Sequence, residues 1–298
     1  MYPENATNKK VSYTSIDTSV ATVTETGLVT YVGGAGTEAT IVIMAENGVI
    51  NTTCKVASST ILLGRWPQTK GSPPLMAPYQ DESVGMFKYE KYKNGSFLRR
   101  DSTCYKVEPI TWRIVTDDYY GDGSGKKLYV ADKVLYSQVP FYFNADGPDR
   151  PSGVSATDYG YSGIRAWLNG LECNSPMASG YGPDEAYVGK GFLQTAFDPD
   201  EQKKILTTTV KYGGYYGGYD EAYADVKDKI FLLSPREVTN TDWGFLHRIP
   251  SYEDTAPDKD RVKTSTDLAN GMRSHATGKQ MAIVYQQKWN GRWLHAVD

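Results

Sequence analysis

Short runs of alternating apolar and polar residues occupy the first sixty positions, after which the rhythm changes. Val20-Ala21-Thr22-Val23 and Thr40-Ile41-Val42-Ile43 carry a period close to two, the signature of strands with one buried face. Turn residues punctuate them at Thr26-Gly27, Gly33-Gly34 and Asn47-Gly48. The pattern predicts strands over 10–14, 20–24, 27–32, 37–45 and 49–56, and short strands at this spacing predict an all-β sandwich.

Beyond the polar joint Ala57-Ser58-Ser59-Thr60 the period of 3.6 appears. Ile164, Trp167, Leu168 and Leu171 fall at i, i+3, i+4 and i+7, so a short helix with one apolar face is predicted, with Ser162 as its N-cap and Asn169-Gly170 as its stop. Three apolar runs of strand composition, 109–115 (PITWRIV), 127–135 (KLYVADKVL) and 228–234 (DKIFLLS), are the expected sheet beneath that helix, with Trp112 and Phe231 in the shared core. The Asp117 to Gly125 stretch reads as a hairpin loop. Asp198-Pro199-Asp200-Glu201 and Ser234-Pro235-Arg236-Glu237 read as helix or turn caps. Strands and capped helices without regular alternation predict an α+β class. The expected domains are therefore 1–57 and 58–298, joined by an exposed polar connection and sharing little interface.

The length of 298 residues agrees with two domains. No apolar run approaches the roughly 20 residues that a membrane helix needs, so no membrane span is expected. The net charge is −3, from 32 basic and 35 acidic residues with no basic stripe, which argues against a nucleic-acid partner. Tyrosine is in excess, 23 against 8 phenylalanines, which suits partly wet surfaces that make contacts through ring faces and hydroxyls. Cys54, Cys104 and Cys173 form no close pair, leaving either a Cys104–Cys173 bridge or three free thiols. No basic and apolar leader follows Met1-Tyr2-Pro3, so this sequence shows no export signal of its own.

Particular residues add a resemblance to this pattern. Pro3-Glu-Asn-Ala-Thr-Asn-Lys, Tyr13-Thr-Ser-Ile-Asp, Ser19-Val-Ala-Thr-Val, Thr26-Gly-Leu-Val-Thr and Gly36-Thr followed by Thr40-Ile stand in the order of the group 2 bacterial immunoglobulin-like domain. The chain resembles that family without the one or two strands that would precede Tyr2, so a truncated module is expected. The resemblance implies a spacer or adhesion module of bacterial surface proteins, hence an extracellular or cell-surface location, and a stalk that presents its neighbour.

A second set of motifs covers most of residues 61–270. Gly64-Arg-Trp-Pro-Gln, Pro109-Ile-Thr-Trp-Arg-Ile-Val, Ser162 with Ile164-Arg165 and Trp167-Leu168-Asn169, Phe192-Leu with Ala196-Phe197, Glu201 with Ile205 and Thr207-Thr, and Asp228-Lys-Ile-Phe-Leu-Leu-Ser-Pro-Arg-Glu resemble the bacterial domain of unknown function 6273. That family is similar, more loosely, to the C-type-lectin-like fold shared with formylglycine-generating enzymes. The implied architecture is an Ig-like sandwich followed by an α+β, C-type-lectin-like domain. The family's Trp-Trp-Leu-Arg-Ser-Pro segment is replaced here by Trp293-Leu294-His295, which is either a degenerate version or a sign that the domain lacks its end. Cys104 and Cys173 do not stand in the sequence context of the enzyme's reactive cysteines, so fold kinship is expected without that activity.

Candidate chemistry is sparse. His247, His275 and His295 lie in no nucleophile motif, and no HExxH, CxxC, phosphate-binding glycine loop or dinucleotide fingerprint is present, so no cofactor is expected. Asp117, Asp118 and Asp122 share one loop and Asp254, Asp258 and Asp260 another, but the twelve-residue calcium pattern with its closing glutamate is missing, so solvated turns and no metal are expected. The stretch Lys211-Tyr-Gly-Gly-Tyr-Tyr-Gly-Gly-Tyr219, followed by Asp220 and Glu221, is the sharpest candidate. Paired glycines argue against a strand interior, so Tyr212, Tyr215, Tyr216 and Tyr219 are expected on a loop, where rings can stack on sugar faces. Trp243, Trp289 and Trp293 are second candidates. The expected function is non-catalytic recognition or adhesion, with a glycan or a host or neighbouring-cell surface protein as partner. The alternative is a carboxylate-dependent hydrolase acting on glycan or cell-wall material, since a glycosidase needs two suitably spaced acids.

Overall fold

A computed structural model describes residues 10–33, 37–46, 51–73, 77–137, 139, 159–172, 186–210, 213–214, 221–222, 226–234, 237–245, 263–271, 286–289 and 292–295. The chain is mostly β-sheet and divides into two compact units, Met1–Leu62 with Thr111–Val130, and Leu63–Ile110 with Ala131–Asp298.

In the first unit β1 (Val11–Ser15), β2 (Ala21–Val23), β3 (Val29–Tyr31), β4 (Glu38–Ala45) and β5 (Asn51–Ala57) follow the predicted strands to within a few residues. They form an Ig-like arrangement of two antiparallel sheets, one ordered β1-β4-β5 and the other β2-β3. Alternation selects the core: Val20, Ala21, Ala39 and Ile41 are buried, with Val23, Val29, Tyr31, Ile43 and Val56 packed against them. Asp17 caps the turn before β2 by accepting from the Ser19 N–H and hydroxyl, at 2.9 and 2.6 Å, which holds its carboxyl below the usual range.

Next come β6 (Thr60–Gly71), β7 (Gln80–Val84), β8 (Phe87–Tyr92), β9 (Gly95–Arg100), β10 (Thr103–Thr116) and β11 (Leu128–Ala131). β7 to the first half of β10 form an antiparallel meander, and β6 also pairs with β10. In the first unit the far end of β10 leads through the Asp117–Gly125 loop to β11, as the turn residues predict. There Asp118 and Asp122 are used locally, accepting from the Gly123 and Ser124 N–H groups. Ser58 is half-buried and Ser59 exposed, and the Ser59 carbonyl accepts the Ile114 N–H at 2.8 Å.

The helices of the second unit are short: α1 (Gly163–Asn169), α2 (Phe192–Ala196), α3 (Pro199–Lys204) and α4 (Asp267–Gly271). Between and after them lie β12 (Thr208–Val210), β13 (Gly213–Gly214), β14 (Glu221–Ala222), β15 (Val226–Asp228), β16 (Gln286–Trp289) and β17 (Arg292–His295), each pairing in a two-stranded ladder. α1 begins at Ser162, whose Oγ accepts the Arg165 N–H, and ends at Gly170 in the left-handed conformation, φ 69°. Its face is narrower than the sequence period implies. Trp167 and Leu168 are buried and Ile164 half-buried, while Leu171, which lies past the glycine stop, is 39 % exposed.

Trp66 is the centre of the aromatic core. It is fully buried, its ring lies 4.8 Å from Phe192, 5.0 Å from Phe87 and 5.8 Å from Tyr136, and its Nε1–H donates to the Leu135 carbonyl at 2.9 Å. Trp112 and Phe231, expected in the core beneath α1, are only half-buried. Trp112 belongs to the first unit, and Phe231 packs at the edge of a separate cluster around Tyr159 and Val210. The run 228–234 is not a strand beyond Asp228. Asn169 of α1 supplies the bonds that a ladder would give, its Oδ1 accepting from the Lys229 and Ile230 N–H groups and its Nδ2 donating to the Ile230 carbonyl. Cys104 is buried and free, so the bridge to Cys173 is not formed. Cys173 lies outside the described residues.

Two predictions follow from this packing. A Cβ at Gly191, the residue before α2, would stand 2.3 Å from the Trp167 carbonyl and 2.4 Å from the Gly170 nitrogen. Gly191→Ala should therefore lower unfolding stability by about 1–3 kcal/mol in urea titration. On the β8–β9 sheet the Glu90 carboxylate accepts from Arg99 Nε and Nη2 at 2.6 and 2.8 Å and from the Tyr92 hydroxyl at 2.7 Å. The Arg99 guanidinium holds the Glu90 carboxyl below its usual range. With the folded value depressed, its stabilisation is present above the ordinary glutamate value of about 4.3 and is lost as pH falls through the lowered folded value. Glu90→Gln should flatten the acid limb of a stability-versus-pH curve, and an unchanged limb would refute the assignment.

Candidate functional site

Two short antiparallel ladders, together termed the hairpin arm, lie in and around the tyrosine-glycine stretch. Thr208 pairs with Asp228, Thr209 with Lys227 and Val210 with Val226, joining β12 to β15 at the base. Further along, Gly213 pairs with Ala222 and Gly214 with Glu221, joining β13 to β14. The register changes by one residue between the two ladders. Gly213 and Gly214 are thus strand residues, contrary to the loop expected from their type. Glycine weakens a strand without forbidding it, and a ladder that is anchored at its base overrides the local preference.

The base of the arm is fixed by charge and by packing. Val210 is buried with Tyr159, and Ile164, Val226, Phe231 and Leu232 pack around them. Arg165 of α1 donates Nε–H to Asp228 Oδ2 at 2.8 Å and Nη2–H to Asp228 Oδ1 at 2.9 Å, a bidentate pair. Its third donor, Nη1, reaches the Gly160 carbonyl at 2.9 Å. The Asp228 side chain is 1 % exposed. The Lys229 ammonium donates to the Gln202 carbonyl of α3, so the same return strand is held from two helices.

Other polar residues of the sequence motifs are committed to the scaffold as well. Glu201 closes the capping box of α3 and accepts the Gly64 N–H at 2.9 Å. Gln68 donates to the Glu108 and Pro109 carbonyls. Thr195 accepts the Met86 N–H at 2.9 Å. Ser234 and Glu237 form the second capping arrangement, with the Ser234 N–H donating to the Glu237 carboxylate at 2.6 Å. Burial pushes the Tyr89 hydroxyl up, and neither it nor Trp167 Nε1 has a hydrogen-bond partner among the described residues.

Of the second-choice aromatics, Trp243 is half-buried in a 3-10 turn, Thr241–Trp243, capped by Asn240 and stopped by Gly244 in the left-handed conformation. Trp289 and Trp293 stand on the β16–β17 hairpin, paired with Arg292 and Lys288 respectively, and are not register partners of each other. Tyr212, Tyr215, Tyr216 and Tyr219 lie outside the described residues, as do Asp254, Asp258, Asp260, His247 and His275. No cluster of His, Cys, Asp and Glu able to hold a metal occurs among the described residues. The anchoring role of Arg165 and Asp228 was the part missed in the sequence. The signal was an arginine and an aspartate in two motifs 63 positions apart.

Removing one partner of a largely buried ion pair leaves the other uncompensated, so Asp228→Asn should destabilise the second unit by about 3 kcal/mol in denaturant unfolding. Arg165→Lys should cost less than that but not nothing, because an ammonium keeps the charge without making the bidentate contact. Equal stability of Asp228→Asn and the unaltered chain would remove the pair from its anchoring role.

Comparison with known families gives two matches. Residues 1–56 match the model of the bacterial Ig-like domain (group 2). Residues 125–293 match the model described as a domain of unknown function (DUF6273), so the match begins after the Gly64-to-Gln68 and Pro109-to-Val115 motifs and reaches Trp293. No curated protein and no solved structure matches the chain. The second match spans more than half of the 298 residues and contains the anchored hairpin arm, and the chain belongs to the DUF6273 family.

Proposed function

We propose that the chain is a non-catalytic recognition or adhesion protein of the bacterial exterior, in which the Ig-like module of residues 1–57 is a stalk and residues 58–298 are a C-type-lectin-like head. The observation that carries this reading is the match of residues 1–56 to a bacterial Ig-like domain, a module of surface and adhesion type. The fate of the motif acids supports it from the other side. Asp228 is engaged by Arg165, and Glu201 by a capping box and the Gly64 N–H, which commits both carboxylates to the scaffold and not to acid-base work on a substrate.

In this reading the ligand is a glycan or a surface protein of a host or neighbouring cell. It is held by Tyr212, Tyr215, Tyr216 and Tyr219 of the hairpin arm, with Trp243, Trp289 and Trp293 as further candidates. The buried Arg165–Asp228 pair at the base of the arm supports this reading, because rings that stack on sugar faces need a fixed base. Binding on a glycan array should be abolished when the four tyrosines are replaced together by serine. The melting transition should change little, because exposed substitutions usually fall within about 0.5 kcal/mol. Unfolding of that variant would make the rings core. Turnover of a chromogenic glycoside, lost on replacing one carboxylate, would replace this reading with the hydrolase.

A further inference from the structure

The outer edge of β5 is the feature that neither the fold nor the proposed head absorbs. Six of its seven residues are exposed, and among the described residues β4 is its sole strand neighbour. Its hydrogen-bonding phase can be worked out from its flanks. The Ser58 N–H donates to the Thr37 carbonyl, and on the other side of β4 the Ile16 N–H donates to the Thr40 carbonyl. Bonded pairs alternate along an antiparallel ladder. Ala39, Ile41 and Ile43 therefore bond to Val56, Cys54 and Thr52, while Asn51, Thr53, Lys55 and Ala57 turn their N–H and C=O groups outward. Apart from a weak Cys54 Sγ–H contact to the Lys55 carbonyl at 3.7 Å, these outward groups have no bond among the described residues, and such a row is a template for another strand.

We propose that this edge pairs with the same edge of a second copy of the chain, antiparallel about a two-fold axis at Cys54. That register overlaps all seven residues of β5. It sets Thr53 opposite Lys55 of the other copy, whereas an axis at Lys55 would oppose two like charges. Thr52 then faces Val56, a β-branched pair suited to a sheet. Cys54 meets its counterpart at a non-hydrogen-bonded position, where Cα atoms stand about 4.5 Å apart, inside the span a disulfide bridges. Cys54 is exposed and free, so it reports the register directly. With an added disulfide oxidant such as glutathione disulfide, the two Cys54 thiols join through one S–S bond by thiol–disulfide exchange. Their two protons and two electrons pass to the added disulfide, which leaves as two thiols.

The interface is narrow, so association is expected in the range of about 1–100 μM. The test is light scattering on the full chain, under reducing conditions, across that range. A dimer of twice 33.0 kDa is expected to form with concentration. Thr53→Lys places a lysine opposite Lys55 and should weaken the dimer by about fivefold, and Thr53→Glu should tighten it by a similar factor. Cys54→Ser should leave the reduced dimer intact and abolish the crosslink with glutathione disulfide. A melting curve for each variant separates loss of association from loss of fold. A chain that stays monomeric throughout overturns the proposal. So do charge variants that shift the equilibrium in the same direction, or a dimer whose Cys54 residues fail to crosslink.

Discussion

The second unit depends on the contact between one face of α1 and the strand that returns from the hairpin arm. A guanidinium and a carboxylate removed from water are tolerable only when their donors and acceptors are filled. Here Arg165 makes two bonds to Asp228 and a third to the Gly160 carbonyl. One turn further along α1, Asn169 makes four more, three to residues 229–230 and one to the Arg165 carbonyl. An apolar contact would hold helix and strand together equally well while leaving their register free to slide. Directional bonds from two residues four positions apart fix both register and orientation.

That explains which parts could be read from the sequence. Local signals survived almost unchanged: the Ser162 cap, the Gly170 stop, the Asp198-Pro199-Asp200-Glu201 box and the five strands of the Ig-like unit all depend on residues near in sequence. What failed depended on distant partners. The run 228–234 has the composition of a strand, and only Asn169, about sixty positions earlier, takes its backbone bonds away from a ladder. The glycine pair at 213–214 has the composition of a loop and becomes a strand because Val210 and Asp228 fix the ladder behind it. Leu171 fits the helical period but lies beyond the glycine that ends the helix, and so remains exposed.

The same distinction separates scaffold from site. The residues that make the motifs specific, Gly64, Trp66, Gln68, Arg165, Trp167, Asn169, Glu201 and Asp228, are buried or bonded within the unit. Their pattern reflects the scaffold and leaves the ligand unspecified. Under the proposed reading, recognition falls to residues carried by that scaffold, and the hairpin arm is the part anchored to it. Its base is held by a buried charge pair, so a side chain carried further along need not spend binding energy on ordering the base.

The Ig-like unit solves its packing problem with less material. Among the described residues its core cluster has four buried members, and β5 contributes little to it beyond Val56. A strand exposed on both faces gains its order from one ladder with β4, so its other edge stays open to pairing. Main-chain bonds to a second strand would satisfy that edge without further apolar surface. An Ig-like unit with so small a described core is therefore stabilised more readily along its sheet edge, by extending the ladder, than across its faces.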